Sequence, residues 1–299
     1  MKNLLKTISF QLEDLGKHFC QLPDIASGVV HGNIVPAYWC IAENFGDLLT
    51  PTLLRHYGFT PIHFYPFRIY PKSLMASTGS ILDFLPDCFR GIILGSGFMH
   101  ESTERSFPLA TVLAVRGRLS LEKLSDHANV KLGDPGLLAS LLHGEPIEKK
   151  WKIGVVPHYV DLNSPVIKEI GNKLGEKGRI INVRRDPLTV IREIDACECI
   201  LSSSLHGLIV ADSLKIPNRR FVCNAVGGGD FKYMDYYSVF SSRMPETLDF
   251  SGCETIDALT SIVMSDDYSE RWQKADELKS DLDNLFCQLR LHRENRNAS

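Results

Sequence analysis

Short apolar runs recur along this chain, and each stops at glycine, proline, serine or a charged residue. Examples are Gly91-Ile-Ile-Leu94, Leu109 to Val115, Asn129-Val-Lys-Leu132, Trp151 to Val156, Arg179 to Val183 and Glu198 to Leu201. Between them lie helix-compatible segments: Leu48 to His56, a stretch from about Ser120, Pro165 to Leu174, Pro187 to Cys197, and Leu205 to Ile216 just before Pro217. Strands this apolar are buried on both faces, and alternation with helices gives parallel sheets covered by helices. The fold class expected is therefore α/β, with two Rossmann-like lobes whose parallel sheets face a cleft. The polar stretch from Leu142 to Lys150 is the natural linker, giving an N-terminal lobe over residues 1–145 and a C-terminal lobe over 146–299. The second lobe would end in a long amphipathic helix from Tyr268 to His292, carrying Trp272, Ala275, Leu278, Leu282, Leu285 and Leu289.

Residues 3–22 carry Leu4, Leu5, Ile8, Leu12, Leu15, Phe19 and Leu22 at helical spacing, as expected of a docking helix or one lying on a membrane surface. Glu13 and Asp14 interrupt any signal-like core, and scattered cysteines without zinc or redox spacing fit a reducing cytosol. A formal net charge of −3 gives no general field for nucleic acid, while leaving room for a local cationic pocket.

The chemistry-bearing residues fall just after the strands. Asp47, Gly95-Ser96-Gly97, Arg116, Asp134, His158 and Ser203-Ser204-Leu-His206 each follow an apolar run. Ligands of open α/β sheets bind outside the carboxyl ends of the strands. The stretch Ser202-Ser-Ser-Leu-His206-Gly opens a helix, where free N–H groups and a partial positive charge suit a phosphate or carboxylate. Each piece also has a plainer reading: the serines cap a helix, the glycines form a turn, Arg116 makes a surface ion pair, Asp134 starts a turn before Pro135, and His158 is structural. Gly227-Gly-Gly-Asp230-Phe-Lys232-Tyr-Met-Asp235-Tyr-Tyr237 reads as a glycine-hinged aromatic flap, or as a loop packed on its own rings.

Taken in order, Asn44-Phe-Gly46-Asp47, Gly95-Ser96-Gly97, Ala114-Val115-Arg116-Gly117 with Ser120, Gly133-Asp134-Pro135-Gly136-Leu137-Leu138, Val156-Pro157-His158, the Ser-Leu-His206-Gly element and Phe231-Lys232-Tyr-Met-Asp235-Tyr-Tyr237 resemble the polysaccharide pyruvyl transferases, particularly the ketal pyruvate transferases of exopolysaccharide synthesis. The resemblance implies a fold similar to the glycosyltransferase B architecture. It also implies transfer from phosphoenolpyruvate to a sugar as a cyclic ketal, with no further cofactor and no metal. Arg116 and His206 would belong to the donor site. On that basis His206, Arg116 and Asp47 are the expected catalytic groups, with Asp47 as the base or, in its place, His158 or Asp235. Ser203, Ser204, Gly95, Ser96, Gly97, His158 and Lys232 would bind the donor, and Asp134, Asp235 and Tyr236 the acceptor. The partner would be a glycan, polymeric or lipid-linked, met in the cytoplasm or at the cytoplasmic face of a membrane. Two rival readings are a glycosyltransferase using a nucleotide-sugar in the same fold and a non-enzymatic glycan-binding subunit.

Overall fold

The computed structural model describes residues 33–41, 44–64, 72–124, 127–223, 229–240, 244–248 and 255–297. The expected N-terminal helix over 3–22 lies outside the described residues. The protein is an α/β fold with two parallel sheets of Rossmann-like form. The first contains β1 (Ile34–Tyr38), β2 (Thr60–His63), β3 (Met75–Ala76), β4 (Ile92–Ser96), β5 (Thr111–Val115) and β6 (Lys131–Leu132), in the spatial order β2-β1-β3-β4-β5-β6. The second contains β7 (Trp151–Val156), β8 (Gly178–Ile180), β9 (Cys197–Ser202) and β10 (Asn218–Arg220), in the order β10-β9-β7-β8. Every pairing between these strands is parallel, so the carboxyl ends within each sheet share one edge. The proposed boundary at 145/146 falls in the connection between the sheets.

Local sequence sets the helices. The first, α1 (Phe45–His56), starts before the expected Leu48, because Asn44 is extended and the helix takes in the Phe-Gly-Asp element. A short α2 (Arg118–Glu122) follows β5, and α3 (Ala139–His143) continues a 3-10 turn, Pro135–Leu138. Then α4 (Pro165–Leu174) is capped by Ser164, which accepts from Ile167 N at 3.2 Å, and α5 (Pro187–Asp195) by Asp186, which accepts from Thr189 N at 2.9 Å. Both place proline at the first helical position, where the missing N–H costs nothing.

All nine residues of α6 (Leu205–Ser213) are buried. A helix buried all round shows no amphipathic stripe and must run through the core. It is pinned at its far end: Ser213 Oγ donates to Leu137 O at 2.6 Å and accepts from Ser140 N at 2.9 Å. Around it one apolar core joins the sheets, with Leu94 and Ala114 of the first packed in the same cluster as Val156 and Ile200 of the second.

Three helices complete the described fold. The first, α7 (Phe231–Tyr237), corrects the flap expectation: six of its seven residues are buried. Gly227 and Gly228 of the expected hinge lie outside the described residues. The second, α8 (Ile256–Met264), escaped the sequence reading. The third, α9 (Ser269–Asn297), covers the expected amphipathic stretch and returns to the first sheet. Its Phe286 stacks on Tyr57 at 4.7 Å, Asp283 accepts from Tyr57 Oη at 2.5 Å, and the Arg293 guanidinium donates to Ile34 O. Among the described residues no helix is long and apolar enough to cross a membrane.

Candidate active site

Arg116 leaves the end of β5 and is completely buried. Its Nε donates to Asp235 Oδ2 at 2.9 Å, Nη1 to Ser80 Oγ at 2.6 Å and Nη2 to Phe98 O at 2.6 Å. Three of the five N–H groups of a guanidinium are thus committed and two remain. Gly97 makes the bed: a Cβ there would lie 2.5 Å from Arg116 Cζ. Asp235, also fully buried, accepts from Ser120 N and Ser120 Oγ at 2.7 Å each.

Several of the expected site residues make their hydrogen bonds within the protein. Asp235 is bonded to Arg116 and Ser120 and fixes the arginine. Tyr236 is fully buried and donates to Asp212 Oδ2 at 2.8 Å, inside a network with Arg271, whose Nη2 lies 3.1 Å from Asp212. It belongs to the packing of α7 on α6. Ser96 is fully buried with its hydroxyl on Gly79 O at 2.7 Å. Gly95, at φ +86°, faces Pro135, where a Cβ would be 2.3 Å from the proline ring. Gly95-Ser96-Gly97 therefore supports Arg116 and the following turn.

His206 lies in the first turn of α6 and reaches the first sheet's loops. A Cβ on Gly46 would lie 2.1 Å from His206 Nδ1. On the other side, His206 Nε2 is 3.9 Å from Asp134 Oδ2, and both atoms are buried without a hydrogen-bond partner. Asp134 Oδ1 accepts from Gly136 N at 2.8 Å. Burial, then Arg116, Lys232 and His158, push the His206 pKa down to about 3. Burial raises that of Asp134 to about 6, against Gly136 N and Arg116.

The serines divide their work. Ser202 Oγ donates to Val156 O at 2.9 Å and accepts from Ser204 N at 3.0 Å, which ties β9 to β7. Ser203 Oγ accepts from His158 N at 2.9 Å and lies 3.5 Å from Asp161 Oδ2. Ser204 occupies the N-cap of α6 but makes no side-chain cap bond. The plain capping reading of that serine does not hold, and the first amides of α6 have no helical carbonyl to bind.

Lys232, on α7, is 6% exposed. Its pKa falls to about 8 through burial, Arg116 and Arg220, with Asp47 opposing. Asp47 sits in the first turn of α1, where Asn44 Nδ2 donates to its Oδ2 at 2.9 Å. Burial raises its pKa to about 6, offset in part by Asn44 and Lys232. His158 drops to about 4 through burial and Lys232. The groups that feel one another come from loops of both sheets and from α7.

Arg220 escaped the sequence reading. It ends β10 level with Ser202, its guanidinium lies 3.8 Å from the Tyr233 ring centroid, and Nη2 pairs with Asp230. Tyr233 Oη in turn donates to Ser203 O at 2.7 Å. The available signal was alternation along Asn218-Arg219-Arg220, which sends Arg219 to Asp266 and Arg220 to the opposite face. Ser80, which follows no apolar run, had no such signal.

The polysaccharide pyruvyl transferase family model matches residues 44–223. The chain belongs to that family. The matched span holds every strand-end residue described above, while Lys232 and Asp235 lie beyond it. An uncharacterised protein of Acanthamoeba polyphaga mimivirus is 33% identical over 162 residues, covering 50% of this chain and 54% of its own length. The succinoglycan biosynthesis protein ExoV of Rhizobium meliloti is 29% identical over 190 residues, covering 61% of this chain and 57% of its own. The chain thus spans little more than half the length of these relatives. An uncharacterised Klebsiella pneumoniae protein of known structure aligns at a TM-score of 0.42 and 14% identity, over 75% of this chain and 95% of that one.

Proposed function

We propose that the chain moves the enolpyruvyl carbons of phosphoenolpyruvate onto two hydroxyls of a saccharide as a cyclic ketal, releasing phosphate. The observation that carries this reading is the gathering of Arg116, Lys232, His158 and His206 at the start of α6, with the imidazole kept neutral by burial and by the cations around it. Asp235 and Asp47 meet part of the positive charge of Arg116 and Lys232, and the ring of His206 stays neutral. A small, densely anionic donor beside His206 favours its protonated form.

Arg116, buried under Gly97, contributes its charge, and the α6 amides take the donor's oxygens. His206 protonates the methylene carbon, and a saccharide hydroxyl adds to C2 as its proton passes to a base. The C2–O bond to phosphate then breaks, a second hydroxyl closes the ketal, and its proton leaves with the phosphate. Protons and charge balance with no redox partner. Asp47, beside Lys232, is the base in this scheme. The acceptor is an exopolysaccharide or its lipid-linked precursor, at the cytoplasmic face of a membrane. Support comes from the family and from the succinoglycan relative, whose name places that protein in polysaccharide synthesis.

The test is incubation with phosphoenolpyruvate and candidate oligosaccharides, free and lipid-linked. Phosphate release should match an acceptor mass gain of one pyruvate less water. His206→Ala and Arg116→Ala should abolish both. Calorimetric binding of a nucleotide-sugar with no response to phosphoenolpyruvate would sink the reading.

A further inference from the structure

We infer that Asp134 is a positioning residue for His206, orienting the imidazole through Nε2 and holding the ring in its protonated form once an anionic donor is bound. The inference rests on the pyruvyl-transfer reading and deepens it. It gives Asp134 a role other than the expected contact with the acceptor.

The geometry is that of a hydrogen bond waiting to close. Nε2 and Oδ2 are 3.9 Å apart, about 1 Å beyond bonding distance, and neither has another partner among the described residues. Buried polar atoms are nearly always paired, so two that face each other unpaired mark a place where something changes. The carboxylate cannot turn away, because Oδ1 is held by Gly136 N at 2.8 Å. The ring cannot swing the other way, because Nδ1 packs on Gly46. The turn that carries Asp134 is fastened to the helix that carries His206 by the two Ser213 bonds. A small approach is therefore the available movement.

Charge supplies the trigger. His206 feels Arg116 from the end of β5, Lys232 from α7 and His158 from the end of β7, with Asp134 beside it. Burial and these cations together favour the neutral ring while no anion is bound, and a neutral ring has little pull on the carboxylate. A bound phosphate and carboxylate offset the cations, the ring takes a proton, and the imidazolium Nε2–H then has Asp134 as its acceptor, which leaves the Nδ1 proton for the methylene carbon.

The full chain and its Asp134→Asn variant are compared in steady-state transfer and in NMR of nitrogen-15-labelled histidine, with His206 assigned by its loss in His206→Gln. Phosphoenolpyruvate is the probe. Expected in the unsubstituted chain is conversion of His206 to the doubly protonated pattern on adding the probe, with a downfield Nε2 proton. In Asp134→Asn that conversion weakens, kcat falls about 100-fold, and the donor KM stays within about threefold. Equal kcat, or equal charging of His206 in both proteins, overturns the inference while leaving pyruvyl transfer standing. Asp134-dependent charging in a chain that never transfers pyruvate keeps the inference and removes the reading it rests on. Should Asp134→Asn fail to fold, the unsubstituted chain decides: no downfield Nε2 proton on binding overturns the inference.

Discussion

Arg116 and Asp235 form an ion pair at 2.9 Å in which neither side chain is exposed, joining the end of a first-sheet strand to α7, 119 residues further on. Such a pair is mainly a device of position. Its attraction has to offset the loss of water around both charges, but removing one partner strands the other. Asp235→Ala should therefore cost about 3–5 kcal/mol, read as a fall in the urea midpoint. An unchanged midpoint would show that Ser80 and Phe98 O suffice to hold Arg116.

Arg116→Lys should be nearly as damaging to activity as Arg116→Ala. The three bonds go to three acceptors in different directions, which a planar guanidinium meets and a single ammonium does not. We expect phosphate release to fall about 100-fold, equivalent to about 2.7 kcal/mol. Release within a factor of a few of the unsubstituted chain would mean that charge alone is what the site needs.

Gly46→Ala would bring a methyl to 2.1 Å from His206 Nδ1, so the ring must move. Overpacking of this kind costs about 1–3 kcal/mol of stability. Turnover should suffer more than the melting temperature does, because the displaced ring is the proton donor. A variant with normal turnover would argue that His206 works from a position this structure does not show.

The pH profile follows from two groups of the site, Asp47 and Lys232. Asp47, raised to about 6, acts as a base only when deprotonated, so kcat at saturating donor, where His206 carries its proton, should rise through about pH 6. Lys232, lowered to about 8, keeps its charge only below that value, so the rate should fall again through about pH 8. Lys232→Arg holds the charge at higher pH and should remove the alkaline limb. Persistence of that limb would assign it to another group.

Tyr236→Phe tests the placement of that ring. Loss of its bond leaves Asp212 with Arg271 and Asn218, so stability should fall by about 1 kcal/mol in thermal or chemical unfolding. The acceptor KM should stay unchanged, whereas a raised KM would return Tyr236 to the acceptor site.

The sequence determined the class of fold and the list of chemical groups. Buried parallel strands need continuous apolar runs, and helices need caps and prolines at their starts, so Trp151–Val156 and Pro165–Leu174 are legible one residue at a time. The same grammar put Arg116, Asp134, His158 and Ser203 at strand ends. What only the tertiary structure decided is which of these groups are spent on one another. Asp235 looks like a free carboxylate until α7 packs against α2, and Ser96 looks like a phosphate ligand until Gly79 O takes its hydroxyl. Helix α7 itself hides behind its glycines, since its burial on nearly every side leaves no periodic pattern to read. The facing of His206 and Asp134 belongs to this second kind. Their separation is fixed by Gly46 and Ser213, through contacts between residues far apart in the chain, and local sequence preferences do not encode such distances.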